Sequence, residues 1–122
     1  MVVDDTAVIR ETVAKLLRRE GFDTICASNG KEALAVLRLS APDLVLLDIM
    51  MPEMDGLECL ALLRQEPRWQ ALPVIIMSAM SDDEHQMKAE SLGASDYLVK
   101  ARFSMNQILE RVRRLIAQKT EN

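Results

Sequence analysis

Two short apolar runs without alternation constrain the fold of this chain more than any other feature. Residues 44–47 read Leu-Val-Leu-Leu, and residues 73–77 read Pro-Val-Ile-Ile-Met. A strand with one face in water alternates polar and apolar residues, whereas a strand buried on both faces is apolar throughout. Both runs therefore predict central strands of a sheet that helices cover on both faces.

Segments with a helical period separate the predicted strands. Apolar residues recur at helical spacing from Thr6 to Glu20. Four more helices are predicted at residues 31–39, 57–66, 82–92 and from Ser104 onwards, where Gln107 completes a capping box. Shorter strands are predicted at residues 2–3, 22–27 and 97–99. Five strand–helix units in succession predict parallel pairing and a doubly wound α/β sandwich.

Composition limits the class of protein. The 122 residues are 49% hydrophobic and 28% charged, which is typical of one globular domain over residues 1–122. A net charge of −4 provides no basic field for a nucleic-acid backbone or an anionic membrane. No apolar run approaches the ~20 residues of a membrane span, and no signal peptide opens the chain. We therefore expect a cytoplasmic domain without direct nucleic-acid or membrane contact.

Two further features concern the cysteines and the start of the chain. Cys26 and Cys59 do not have the spacing of a zinc site or a disulfide framework, which indicates thiols in a reducing compartment. Only three residues precede Asp4, whereas strands average about five or six residues. The first strand is therefore either short by nature or lacks its beginning.

Polar residues follow four of the predicted strands directly. Asp4 and Asp5 follow the first strand, Asp48 the third, Ser78 the fourth and Lys100 the fifth. Each residue alone is typical of a helix cap, a turn or a solvated charge. In doubly wound sheets, however, ligands bind beyond the carboxyl ends of the strands, where all five residues lie. Their joint placement indicates a functional site.

The chemistry of these residues suits phosphoryl transfer. If the first and third strands are neighbours, three carboxylates converge and repel one another unless they are neutralised. A hard cation such as Mg²⁺, held by carboxylate oxygens, is the usual solution. One carboxylate can then act as a nucleophile and form an aspartyl phosphate. A hydroxyl and a lysine would balance the charge of the phosphoryl oxygens.

Five segments, in order along the chain, match the pattern of one known family. They are residues 2–5, 21–30, 42–56, 73–79 and 93–100, of which Asp48 to Gly56 is the most specific. Over its whole length the sequence resembles the receiver domains of two-component response regulators. The resemblance implies a flavodoxin-like, chemotaxis-receiver-like fold with a five-stranded parallel sheet in the order 2-1-3-4-5.

The resemblance also implies the reaction. Asp48 would be the phosphoacceptor, and Asp5, with Asp4 partly through water, would bind Mg²⁺. The backbone carbonyl of Met50 would be a further metal ligand. The phosphoryl group would come from a histidine kinase or a phosphotransfer protein. The domain would catalyse only its own phosphorylation and dephosphorylation, so it would be a signalling module and not an enzyme.

By the same resemblance, Ser78 and Lys100 would bind the phosphoryl group, and Ser78 and Tyr97 would form the switch. The surface of the fourth helix, fifth strand and fifth helix would then change and bind an output domain, a target protein or a second copy of the receiver. Ala101 departs from the family, which usually has proline after the lysine. We therefore expect the loop that follows Lys100 to differ in shape.

Met50 and Met80 lie two positions beyond Asp48 and Ser78. By resemblance, these positions tune self-dephosphorylation. A thioether is a weak acceptor and no donor, so neither methionine can orient the attacking water well. The two methionines therefore predict a long-lived phosphorylated state.

Two other classes of function use related chemistry or the same topology. A haloacid-dehalogenase-type phosphohydrolase needs a second aspartate two positions after its nucleophile, where this chain has Met50. An FMN-binding flavodoxin-like module needs a phosphate loop rich in Ser, Thr and Gly after the first strand, where this chain has Asp4 and Asp5. Both alternatives are disfavoured by these residues.

Overall fold

The computed structural model describes residues 1–79 and 83–121, with side chains as far as residue 118. Five strands alternate with five helices along the chain. The strands are β1 (Val2–Val3), β2 (Cys26–Ala27), β3 (Val45–Asp48), β4 (Val74–Ser78) and β5 (Asp96–Val99). The helices are α1 (Ala7–Arg19), α2 (Gly30–Leu39), α3 (Gly56–Gln65), α4 (Asp83–Ser91) and α5 (Met105–Glu121). Two 3₁₀ turns, Pro67–Trp69 and Lys100–Arg102, complete the described elements.

The strands form one parallel sheet in the order β2-β1-β3-β4-β5. Val3 lies opposite Leu47, and Asp48 lies opposite Met77. The last residue of β1 is therefore level with the residue before Asp48. This register confirms the predicted doubly wound sandwich and its strand order.

The two faces of the sheet carry separate apolar layers. Leu47 and Ile76 pack into the layer beneath α2, α3 and α4, whereas Leu46 and Ile75 pack into the layer beneath α1 and α5. All four side chains are at most 1% exposed. Consecutive residues of β3 and β4 thus enter opposite layers, which is why these strands show no polar alternation.

Side-chain caps determine where several helices begin. The Asn29 carboxamide oxygen accepts from the Glu32 amide at 2.8 Å, at the start of α2. At α5, the Ser104 amide donates to Gln107 Oε1 at 2.7 Å, and the Gln107 amide donates to Ser104 Oγ at 3.3 Å. These two bonds confirm the predicted capping box.

The predicted extent of the second strand is wrong. The sequence predicted residues 22–27, but β2 contains only Cys26 and Ala27. The neighbouring β1 offers only two residues for pairing, and the Phe22 amide donates instead to the Leu17 carbonyl at the end of α1. The predicted start of the fourth helix, residue 82, lies outside the described residues.

Both cysteines are free thiols. Cys59 is fully buried, and this burial, with a smaller effect of the Asp55 carboxylate, raises the pKa of its thiol to about 11.

Within residues 1–79 and 83–121, no helix combines the length and the apolar character needed to cross a membrane.

Candidate functional site

The three aspartates meet at the carboxyl edge of the sheet. Asp4 and Asp5 directly follow β1, and Asp48 is the last residue of the adjacent β3. One carboxylate oxygen from each residue lies within 4.8 Å of the others. Asp4 and Asp48 are 3% and 4% exposed, whereas Asp5 is open to solvent. The structure therefore brings together the carboxylates that the sequence predicted to converge.

Lys100 supplies a positive charge to this cluster. Its Nζ lies 3.0 Å from Asp4 Oδ2 and 3.3 Å from Asp48 Oδ1. Burial opposes its charged form, but the hydrogen bond to Asp4 and the charges of both carboxylates outweigh burial and raise the pKa of Lys100. Ala101 lies in the 3₁₀ turn that begins at Lys100, so the turn without proline still presents the ammonium group to the cluster.

The carboxyl group of Asp48 is strongly perturbed by its surroundings. Its burial and the nearby charge of Asp4 raise its pKa to about 6, although Lys100 and the backbone amide of Met50 oppose the shift. That amide donates to Asp48 Oδ1 over 3.4 Å, a long hydrogen bond. A strongly perturbed carboxyl group beside charged partners is typical of a functional site.

Asp4 is held by contacts that the sequence analysis did not predict. Its Oδ1 accepts from the Thr6 amide at 2.9 Å, and its backbone carbonyl accepts from Arg10 Nη1 at 2.8 Å. Arg10 lies near the start of α1, where the helix dipole disfavours a cation. The position of Arg10 in the first turn of α1 was the one feature of the sequence that could have indicated its contact with the acidic residues before the helix.

Gly56 allows α3 to begin against the backbone of Asp48. A Cβ atom at residue 56 would lie 2.1 Å from the Asp48 carbonyl oxygen, so any other residue would force the two segments apart. The Gly56 amide donates to the Ile49 carbonyl at 2.9 Å. Asp55 caps the helix by accepting from the Glu58 amide at 2.8 Å. The pair Asp55-Gly56 thus shapes the loop that follows the candidate nucleophile.

Ser78 lies at the same edge of the sheet, whereas Tyr97 lies further back. Ser78 ends β4, is fully buried and is level with Val99 of β5. Tyr97 is 9% exposed and belongs to the apolar layer that includes Ala89 of α4. Met50 is 54% exposed beside Asp48. Met80, the other residue expected to influence dephosphorylation, lies outside the described residues.

The donor set of the cluster fits Mg²⁺. Oxygen ligands from carboxylates, with one side open to water and phosphate oxygens, are what this cation prefers. The three carboxylates exceed the single positive charge of Lys100, and Asp5 opens the cluster to solvent. Asp4, Asp5 and Asp48 are thus the side chains suited to hold a divalent cation.

Two grooves open at the opposite, amino edge of the sheet. One, of about 840 Å³, is lined partly by Leu17, Phe22 and Leu44. The other, of about 540 Å³, is lined partly by Leu39 and Trp69. None of the aspartates of the cluster lines either groove, so both grooves are separate from the candidate site.

Comparison with known proteins identifies the family. The family model of the response regulator receiver domain matches residues 1–113, and the chain belongs to this family. The probable transcriptional regulator ycf27 of Cyanophora paradoxa is 38% identical over 122 residues, which are 100% of this chain and 49% of that protein. The DNA-binding response regulator MtrA of Mycobacterium tuberculosis is 37% identical over 113 residues, covering 93% and 48%.

Solved structures agree with this assignment. The receiver domain of the Francisella response regulator 1452 superimposes with a TM-score of 0.89 at 34% identity, covering 97% of this chain and 95% of that one. A receiver domain is a phosphorylation-activated signalling domain, which confirms the class of function predicted from the sequence. The comparisons support neither the phosphohydrolase nor the flavin-binding alternative.

The chain spans about half the length of the curated relatives it matches. Those relatives are named as a transcriptional regulator and a DNA-binding response regulator. The expectation of no nucleic-acid contact therefore finds no support in these relatives. This expectation applies only to these 122 residues, whose net charge is −4.

Proposed function

We propose that Asp48 accepts a phosphoryl group from the phosphohistidine of a histidine kinase or a phosphotransfer protein. The observation that carries this proposal is the shared contact of Lys100 with Asp4 and Asp48 within a cluster of three carboxylates. An Asp48 oxygen forms the new P–O bond while the P–N bond of the donor breaks and the donor histidine leaves. The reaction changes the domain itself and turns over no separate substrate.

The residues of the cluster have distinct parts in this proposal. Asp4, Asp5, Asp48 and the backbone carbonyl of Met50 would hold Mg²⁺, which when bound neutralises the carboxylates and the phosphoryl oxygens. Asp48 must be ionised to attack, and Lys100 favours that ionised form. After transfer, the Lys100 ammonium can leave the Asp48 carboxylate and pair with a phosphoryl oxygen.

Ser78 and Tyr97 connect the site to a surface in this proposal. The phosphoryl oxygens offer new acceptors to the Ser78 hydroxyl at the end of β4. Movement of that hydroxyl would alter the packing of Tyr97, which shares an apolar layer with Ala89 of α4. The surface of α4, β5 and α5 then binds an output domain, a target protein or a second copy of the domain.

We place the domain in the cytoplasm, where kinase domains of this pathway act.

Intact mass spectrometry tests the site of modification. With Mg²⁺ and acetyl phosphate, the chain without substitutions should gain one phosphate that hydroxylamine removes, and Asp48→Asn should gain none. Asp23→Asn, at an exposed aspartate outside the cluster, is the matched control and should behave as the unmodified chain does. Equal modification of Asp48→Asn would show that another residue is the acceptor.

Calorimetric titration with Mg²⁺ tests the metal site. Asp5→Ala removes one of the three converging carboxylates and should abolish measurable Mg²⁺ binding together with phosphorylation. Because Asp5 is exposed, the variant should remain folded, and relief of repulsion should leave its stability equal or higher. A tight binding isotherm in Asp5→Ala would contradict the proposed ligand set.

A further inference from the structure

Helix α4 buries few of its described side chains in the domain. Its single buried residue is Ala89, and the other described side chains between Asp83 and Ser91 are exposed or half-buried. Met87 is 67% exposed, so even the apolar methionine contributes little packing. A helix with so little buried surface needs other contacts to define its position.

Arg64 provides such contacts. It lies at the end of α3, and its Nε and Nη2 donate to the Gly93 carbonyl at 3.2 and 2.7 Å. Its Nη1 donates to the Trp69 carbonyl at 2.7 Å. One planar guanidinium thus joins α3 to the second residue after α4 and to the 3₁₀ turn before β4.

The backbone at Gly93 is shaped for this contact. Gly93 has a φ of 93°, a conformation that favours glycine. A Cβ atom there would also lie 3.0 Å from Arg64 Nε, so a side chain would press against the guanidinium. Beyond Gly93, the Ala94 amide donates to the Ala89 carbonyl at 3.0 Å, and the Ser95 amide donates to the Val74 carbonyl at 2.8 Å.

We propose that Arg64 is a positioning residue that pins the carboxyl end of α4, so that α4 pivots about Gly93 when the domain is phosphorylated. The pivoting of α4 rests on the proposed function, whereas the contact of Arg64 with Gly93, called the pin below, belongs to the unphosphorylated domain. Helix α3 begins at Gly56, against the backbone of Asp48, and ends at Gln65, the residue after Arg64. Its ten residues span about 15 Å, so one rigid element connects the phosphoacceptor loop to the pin.

Amide hydrogen exchange tests the pin in the unphosphorylated protein. In Arg64→Ala, the amides of Ala94 and Ser95 should exchange at least about tenfold faster, relative to those of Leu46 and Leu47 in the central sheet. The sheet amides correct for any change in global stability. Arg64→Lys retains the charge but cannot contact both carbonyls in the fork geometry, so it should also speed exchange.

Arg38→Ala is the matched control, because Arg38 is an exposed arginine in the last turn of α2. It should change the normalised rates less than about twofold. If Arg64→Ala fails to fold, Arg64→Lys against Arg38→Lys decides the matter. Equal normalised rates in the Arg64 and Arg38 variants would overturn the inference.

Chemical shifts measured with Mg²⁺ and beryllofluoride, a phosphoryl analogue, test the pivot. In the chain without substitutions, the chemical-shift changes along α4 should decrease from Asp83 towards Ser91. In Arg64→Ala, the chemical-shift changes should extend through Gly93. A uniform response along α4 in both proteins overturns the pivot. No response in the unmodified chain overturns the pivot and the proposed function together, while hydrogen exchange still decides whether Arg64 pins α4.

Discussion

The leucines inside the sheet and Asp48 at its carboxyl edge are similarly buried but chemically opposite. Leu46 and Leu47 of β3 are 1% and 0% exposed, and Asp48, the next residue, is 4% exposed. Burial of each leucine stabilises the fold by roughly 1.5–3 kcal/mol. Burial of a carboxylate costs free energy unless the charge is paired, and at this edge three carboxylates share one lysine.

The residues that stabilise the fold are therefore different from the residues of the candidate functional site. The apolar layers account for stability, whereas ionised Asp48 opposes it. The raised pKa of Asp48 records the cost at the edge, because it shows that the buried ionised form is disfavoured. A cation and a phosphoryl group change this balance, so the edge responds to ligands and the interior does not.

The largest expected effect belongs to the interior. Leu60→Ala removes a fully buried side chain of α3 and should lower the free energy of unfolding by about 2–5 kcal/mol, because it leaves a cavity. Urea denaturation measures this loss. Leu39→Ala, at a side chain that is 92% exposed, should change stability by less than about 0.5 kcal/mol. Similar losses in both variants would mean that the apolar layers are not where the stability resides.

A smaller effect of the opposite sign is expected at the edge. The folded state holds the Asp48 proton more tightly than the unfolded chain, so ionised Asp48 destabilises the fold as pH rises from about 4 through about 6. In EDTA at pH 7, Asp48→Asn should therefore be more stable than the unmodified chain by about 1–2 kcal/mol, allowing for solvent screening.

Urea denaturation of both proteins at pH 4 and pH 7 checks this prediction. The gain should be much smaller at pH 4, where Asp48 is protonated in the folded state and only about half ionised in the unfolded chain. Added Mg²⁺ should stabilise the unmodified chain more at pH 7 than at pH 4. A variant that is less stable at pH 7 would show that the edge supports the fold.

The smallest expected effect concerns the lifetime of the phosphorylated edge. Met50 is 54% exposed beside Asp48, and the thioethers of Met50 and Met80 cannot orient an attacking water. Met50→Asn combined with Met80→Glu should speed loss of the phosphoryl group roughly fivefold, the effect of one hydrogen bond worth about 1 kcal/mol.

Single-turnover phosphate release measures this rate. Met105→Asn, at a methionine that is 40% exposed at the start of α5, is the control and should leave the rate unchanged. An unchanged or slower rate in the double variant would contradict the prediction.

Local patterns were sufficient to predict most of the fold. The runs at residues 44–47 and 73–77 identified the central strands within one residue of β3 and β4, since a doubly buried strand needs apolar side chains on both faces. The spacing of Ser104 and Gln107 located the start of α5 because a capping box is formed within one turn. The strand order rested on the family resemblance and is confirmed by the pairing.

Contacts between distant segments were decided by the tertiary structure. The length of β2 depends on how many residues β1 offers for pairing, which no pattern within residues 22–27 contains. The sequence placed Asp4, Asp48 and Lys100 at one edge, but their ion pairs and the raised pKa of Asp48 depend on burial and distance. The contact of Arg64 with Gly93 joins residues 29 positions apart, and only the packed domain brings that carbonyl within reach of the guanidinium.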